Sequence, residues 1–117
     1  MSSRTRRLLR AAAESDTTFE RVEAHGRSYL VGKCIHCSTQ VSVPLDEGEQ
    51  AHATLEHIVP RNHGGSDEPE NLAVACRRCN QGKGKRLDHR RPNDATLQRV
   101  IETLQTRRRE RLRKPSS

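Results

Sequence analysis

Two Cys-x-x-Cys pairs, Cys34-Ile-His-Cys37 and Cys76-Arg-Arg-Cys79, constrain this chain more than any other feature. Each pair supplies two thiolates from one turn, and four thiolates suit a single tetrahedral zinc. The pairs are separated by 38 residues, longer than the loop of a short zinc finger, so the intervening stretch must hold structure of its own. Such a staple is needed here. Apolar residues make up 31% of the 117, with one Phe, one Tyr and no Trp, so the core available to a chain this size is thin. Closing a four-cysteine zinc site contributes on the order of 10 kcal/mol of folding free energy, enough to compensate. A thioredoxin-like redox pair would need one Cys-x-x-Cys in a βαβ setting, which is absent. His36 reads as a surface residue, since four thiolates already close the site.

Charge points to the partner. Lys and Arg total 22 against 15 Asp and Glu, a net charge of +7, and the basic residues gather at 4–10, 77–91 and 107–114. Clustered arginine favours a polyanion, because neutralised phosphates release counterions. The alternative is a solvated surface that resists aggregation. A membrane surface fits less well, because the basic segments lack aromatic anchors. No apolar run approaches the roughly 18 residues of a membrane span, and the N-terminus does not read as a signal peptide. The expected setting is therefore a reducing cytoplasm, bacterial or phage-encoded, where paired cysteines bind metal rather than oxidise.

The order of elements follows from pattern. Residues 4–13 favour helix by propensity but are few enough to fray. Residues 19–31 read as two short strands around Ala-His-Gly-Arg, and Gln40 to Val43 as another. Pro44 to Gln50 is an acidic loop. Ala53 to Val59 alternates as a strand with Leu55, His57 and Val59 on one face and Glu56 and Ile58 on the other. A polar loop from Pro60 to Asn71 precedes a return strand, Leu72 to Ala75, ending at the second cysteine pair. A helix should begin near Cys79-Asn80, shortened or frayed by Gly82 and Gly84. Residues 94–113 form the clearest helix, capped by Asn93 or Asp94, with Leu97, Val100, Ile101 and Leu104 at helical spacing. Its distal half has almost no apolar face and is expected to project into solvent or onto nucleic acid. This divides the chain into a basic N-terminal segment (1–16), a central domain (17–91) and a basic helix with tail (92–117).

Within that frame lie Glu56-His57-Ile58-Val59-Pro60, Gly64-Gly65, Asn71-Leu72 and Cys76-Arg77-Arg78-Cys79-Asn80, followed by Lys83. A histidine can take a proton near neutral pH. Carboxylate and amide oxygens suit Mg²⁺ or Mn²⁺. The ordered set, over roughly residues 34–85, resembles the HNH endonucleases, in the branch carrying four zinc-binding cysteines. The resemblance implies a small α+β domain of the zinc-stapled ββα-metal (His-Me finger) type, here with an N-terminal β-hairpin and a C-terminal helix. It implies hydrolysis of DNA phosphodiester bonds, leaving 5′-phosphate and 3′-hydroxyl ends, on DNA that is double-stranded. By matching position His57 is the general base, and Glu56 and Asn80 hold the catalytic divalent ion. Structural zinc falls to Cys34, Cys37, Cys76 and Cys79.

For Glu56 and His57 to serve one site, the strand must twist or end there. Asn71 matches the middle residue of the family's name, with the role of bonding backbone across the loop to hold His57 in orientation; a turn-forming Asn is the plainer reading. His63 could touch the scissile phosphate, bind metal or sit in solvent, while His25, His52 and His89 suggest no role. Arg61, His63, Arg77, Arg78, Lys83 and Lys85 are the candidate phosphate contacts, which position a duplex without reading its sequence. The rival readings are a zinc-dependent DNA-binding module without catalysis, and a phage or mobile-element adaptor that works within a larger complex. Oligomeric state is left open.

Overall fold

The computed structural model describes residues 1–46 and 51–114; part of the acidic loop expected at Pro44 to Gln50 lies outside them. Helix α1 (Ser3–Glu14) opens the chain, its first turn closed by the Ser2 hydroxyl accepting from the Thr5 amide at 3.1 Å. Leu9, Ala12 and Ala13 are spaced on one face and buried, docking the helix on the two strands that carry the site. This corrects the expectation of a frayed segment: propensity alone would leave so short a helix marginal, and tertiary burial holds it.

Strands β1 (Glu20–Ala24), β2 (Arg27–Lys33) and β3 (Gln40–Pro44) form an antiparallel meander in that order. The β1–β2 turn is two residues long, His25 and Gly26, both with positive φ (53° and 73°), a backbone whose twist matches the flanking strands. A separate two-stranded sheet pairs β4 (Ala53–His57) with β5 (Leu72–Cys76), in register from Ala53 opposite Cys76 to His57 opposite Leu72. Helix α2 (Arg77–Lys83) follows at once, completing a ββα unit. Gly84 does not end it in a frayed turn. The chain runs on through one π-helical turn, Gly84–Asp88.

Helix α3 (Ala95–Arg111) is capped by the Asp94 carboxylate, which accepts from the Leu97 amide at 2.9 Å. Leu97, Ile101 and Leu104 are buried, as their spacing predicts. Its distal half does not project outward, and the correction has a clear physical cause. Arginines there, and Arg113 just beyond the helix end, donate to main-chain carbonyls of distant turns and element ends. Arg107 reaches Ile35 and His36 (3.2 and 2.8 Å), Arg111 reaches Lys33 and Cys34 (3.0 and 3.3 Å), and Arg113 reaches Glu14 and Phe19 (both 2.8 Å). Arg108 is 1% exposed and donates to the Pro69 carbonyl and the Ser15 hydroxyl, while Asp16, fully buried, lies 3.9 Å from Arg111. A stretch read as a polyanion contact is instead a strap that closes the N-terminal half of the chain over the core.

Arg108→Ala removes a buried guanidinium that donates to the Pro69 carbonyl and the Ser15 hydroxyl, and leaves a cavity. We expect it to destabilise the fold by about 3 kcal/mol or more. Arg109→Ala, on the exposed face of the same turn, should stay within about 0.5 kcal/mol. Chemical denaturation of the two variants side by side measures the difference.

Candidate active site and metal centre

The four cysteines converge although they come from two distant turns. Their Sγ atoms all lie within 4.8 Å of one another, and Cys37 and Cys76 are 3.9 Å apart. Zinc with bonds of about 2.3 Å would set sulfur–sulfur separations of about 3.8 Å, so the cluster fits a structural zinc. Main-chain amides already point at the sulfurs: His36 and Cys76 donate to Cys34 (3.4 and 3.2 Å), and Cys79 donates to Cys76 (3.5 Å). The Thr39 hydroxyl, 3.1 Å from the Cys37 sulfur, holds that thiol down at about 6, while burial pushes the Cys34 and Cys79 thiols up. His36 is not the surface residue expected. Its ring turns inward, with Nε2 3.6 Å from the Glu56 carboxylate.

Strand β4 divides the remaining groups between its faces. Thr54 and Glu56 point under α2, where the Asn80 side-chain amide donates both its protons, to the Thr54 hydroxyl and the Leu55 carbonyl (3.0 Å each). That fixes the amide and leaves Oδ1 as its uncommitted atom. Glu56 is 1% exposed, and neither carboxylate oxygen has a hydrogen-bond partner among the described residues. Its charge is met by the Lys83 ammonium, 2.9 Å from Oε1, and the same ammonium lies 2.8 Å from Asp88 and donates to the His57 carbonyl at 3.1 Å. Lys83, a candidate phosphate contact by sequence, is therefore 3% exposed and engaged inside the molecule. Two under-satisfied oxygens from Glu56 and one from Asn80 form a donor set that suits a hard cation.

His57 points to the opposite face, at the residue where β4 ends. Its Nε2 lies 2.8 Å from Asp67 Oδ1, and the Arg61 Nε donates toward it at 3.2 Å. Around it the Pro60–Asn71 connection folds into two short 3₁₀ turns, Arg61–His63 and Pro69–Asn71. Asn71 ties them to the strand end: its Oδ1 accepts from the Val59 amide at 2.8 Å, and its Nδ2 donates to the carbonyls of Val59 (3.1 Å) and Ser66 (2.8 Å). These are the cross-loop backbone bonds anticipated from sequence.

The paired glycines are explained by the same geometry. Gly64 takes a φ of +83° to close the first 3₁₀ turn. Gly65 passes so near the strand end that a Cβ there would sit 1.8 Å from the Val59 carbonyl oxygen. Arg61, Arg77, Arg78 and Lys85 are exposed, and His63 is half-buried with Nδ1 unpaired.

The structure thus gathers Glu56, Asn80, Lys83 and His36 on one side of β4, and His57, Asp67 and Arg61 on the other. Lys83 bridges them through the His57 carbonyl. Sequence reasoning missed Asp67 and the inward side of Lys83. Asp67 sits in a Ser-Asp-Glu-Pro stretch where nothing separates it from Glu68, and Lys83 follows a glycine in a run that reads as surface.

Two outcomes follow. A zinc chelator strong enough to strip the thiolates should unfold the chain, read by loss of far-ultraviolet circular dichroism in step with zinc release. Gly65→Ala should displace the strand end and cost about 1–3 kcal/mol of stability, measured by thermal unfolding.

A family model described as HNH endonuclease matches residues 34–95, a little over half of the chain. The CRISPR-associated endonuclease Cas9 of Corynebacterium diphtheriae is 36% identical over 53 residues, covering 44% of this chain and 4% of that protein. The chain therefore spans only a small fraction of that relative. No solved structure matches. With the matched stretch carrying both cysteine pairs, β4, β5 and α2, the chain belongs to the HNH endonuclease family.

Proposed function

We propose that this protein is a metal-dependent endonuclease that hydrolyses phosphodiester bonds of double-stranded DNA. The observation that carries the reading is His57 at the last residue of β4, followed at once by a chain segment that Asn71 clamps through Val59, within the ββα unit that the family model matches. His57 accepts a proton from the attacking water, which adds to phosphorus in line with the departing 3′ oxygen. Asn71 keeps the strand end, and so the imidazole, in a fixed orientation. Arg61, His63, Arg77, Arg78 and Lys85 supply contacts to flanking phosphates.

Glu56 and Asn80 would hold a divalent ion, Mg²⁺ or Mn²⁺. When bound, such an ion supplies Lewis-acid stabilisation of phosphate charge and of the leaving oxygen. The Lys83 ammonium must then give up Glu56, and Asp88, already 2.8 Å from it, is the partner that keeps it. The relative named above is itself an endonuclease many times longer than this chain, which supports action within a larger complex.

A second reading, a zinc-stapled DNA-binding module without catalysis, is favoured by one observation: the Glu56 carboxylate already has its countercharge within the chain. It predicts salt-sensitive DNA binding and no product in either metal.

Plasmid nicking with EDTA, Mg²⁺ and Mn²⁺ separates the two. His57→Ala should lose at least about a hundredfold in nicking rate, with zinc content and unfolding midpoint unchanged. Nicking at the wild-type rate would remove His57 from the mechanism.

A further inference from the structure

We propose that Asp67 is a positioning residue for His57, and that Arg4, on helix α1 outside the stretch matched to the family, holds Asp67 in place. The inference rests on His57 being the base. Asp67 spends its two carboxylate oxygens on different partners: Oδ1 lies 2.8 Å from His57 Nε2, and Oδ2 accepts from Arg4 Nη2 at 2.6 Å. Arg61 Nη2 adds a contact to Oδ1 at 3.3 Å. Contacts on both oxygens restrict the rotation of the carboxylate, and with it the direction in which the imidazole presents Nε2. The charge is secured as well. The hydrogen bonds of Arg4 first, and of His57 second, hold the Asp67 carboxyl well below the usual carboxylate range.

The consequence is a choice of nitrogen. Facing an ionised carboxylate at 2.8 Å, Nε2 carries the ring proton and donates it. Arg61 Nε, 3.2 Å away, can only donate, so it cannot bond the same nitrogen in that tautomer; its contact to Asp67 remains. Nδ1, for which no protein partner is found among the described residues, is left with its lone pair. That is the atom free to take a proton from water. As water loses H⁺ to Nδ1, the ring becomes imidazolium, its Nε2–H still on Asp67, which stays ionised throughout. The charged groups facing His57 are Asp67 and Arg61 from the loop, and Lys83 through the main-chain carbonyl.

Helix α1 thereby reaches the site from 63 residues away in sequence. Its burial against β4 and β5 sets where Arg4 stands. The family-matched stretch lacks this group, so α1 completes a site that the ββα unit does not finish by itself.

The test has two readouts on the zinc-loaded, full-length protein. With no Mg²⁺ or Mn²⁺ added and no chelator present, ¹⁵N–¹H correlation of the imidazole should show His57 with its proton on Nε2. Asp67→Ala should lose that preference, and Arg4→Gln should weaken it. With Mn²⁺ and plasmid DNA, Asp67→Ala should lower kcat about a hundredfold with little change in KM. Arg4→Gln, at an exposed position with little bearing on folding, should show a smaller loss in the same direction. Asp67→Glu should recover part of it, and Glu68→Ala, altering the neighbouring exposed carboxylate, should change neither readout.

An unchanged tautomer in Asp67→Ala and Arg4→Gln, or unchanged kcat in both, overturns the proposal. If the wild type does not nick at all, the endonuclease reading fails while the imidazole spectrum still decides whether Asp67 orients the ring.

Discussion

Convergence of four sulfurs is the constraint from which the rest of this structure follows. Cys34 and Cys37 lie on the turn between β2 and β3, Cys76 ends β5, and Cys79 sits in the first turn of α2. A zinc there would fasten the β2–β3 turn to the β4–β5 sheet. The two already meet in one core, where the Ile35 amide donates to the Val74 carbonyl at 3.0 Å, and the metal would also set the start of α2 against the end of β5. The Cys76 sulfur also accepts from the Cys79 amide, so the atom that would bind zinc is also the helix cap. Since α2 carries Asn80 and Lys83 across the inner face of β4, placing its first turn places the Asn80 amide and the Lys83 ammonium beside Glu56.

The β2–β3 turn is also held by its own main-chain bonds, Cys34 to Thr39 and Ser38 to Cys34, which leave further carbonyl acceptors on its outer side. The arginines of α3 close that side. Arg107 and Arg111 together cap the carbonyls of residues 33–36, leading into the turn that carries Cys34 and Cys37. Arg108, and Arg113 just past the helix end, tie the same segment to the end of α1 and the start of the meander. Guanidinium suits the task because it donates several planar hydrogen bonds from one charge and is weakly hydrated, so burial costs it less than it would a lysine. A chain short of apolar residues has used main-chain acceptors and arginine where larger proteins use more core.

Local chemistry made the ββα unit legible. The cysteine pairs, the alternation over residues 53–59, the glycine pair and Asn71 each bear on their near neighbours, and the structure places these segments as their patterns suggest. The distal half of α3 was not legible, since Arg-rich sequence reads the same whether its partners are phosphates or carbonyls 70 residues away. Helix α1 failed for a related reason: three small or apolar residues decide its fate only when a sheet is present to receive them. Asp67 and Arg4 share the problem of distance, because an ion pair across 63 residues leaves no periodic trace.

Burial of Glu56 links the zinc half of the molecule to the His57 half. An unpaired carboxylate at 1% exposure would cost several kcal/mol, so the inner face of β4 requires a positive charge. Lys83 provides it, and its position also governs the other face, because the same Nζ holds the His57 carbonyl. Any cation that takes over Glu56 must therefore leave Lys83 its remaining partners, Asp88 and that carbonyl, or the strand end loses a donor. His36 adds a second dependence. Its ring lies 3.6 Å from Glu56 while its amide donates to the Cys34 sulfur, so the turn that binds zinc also forms one wall around the carboxylate. The thiolate cluster and the Glu56–Asn80 oxygens are separate groups of side chains, yet one residue of the first knuckle borders both, and a shift in the thiolate turn would be felt at Glu56 before it reached His57.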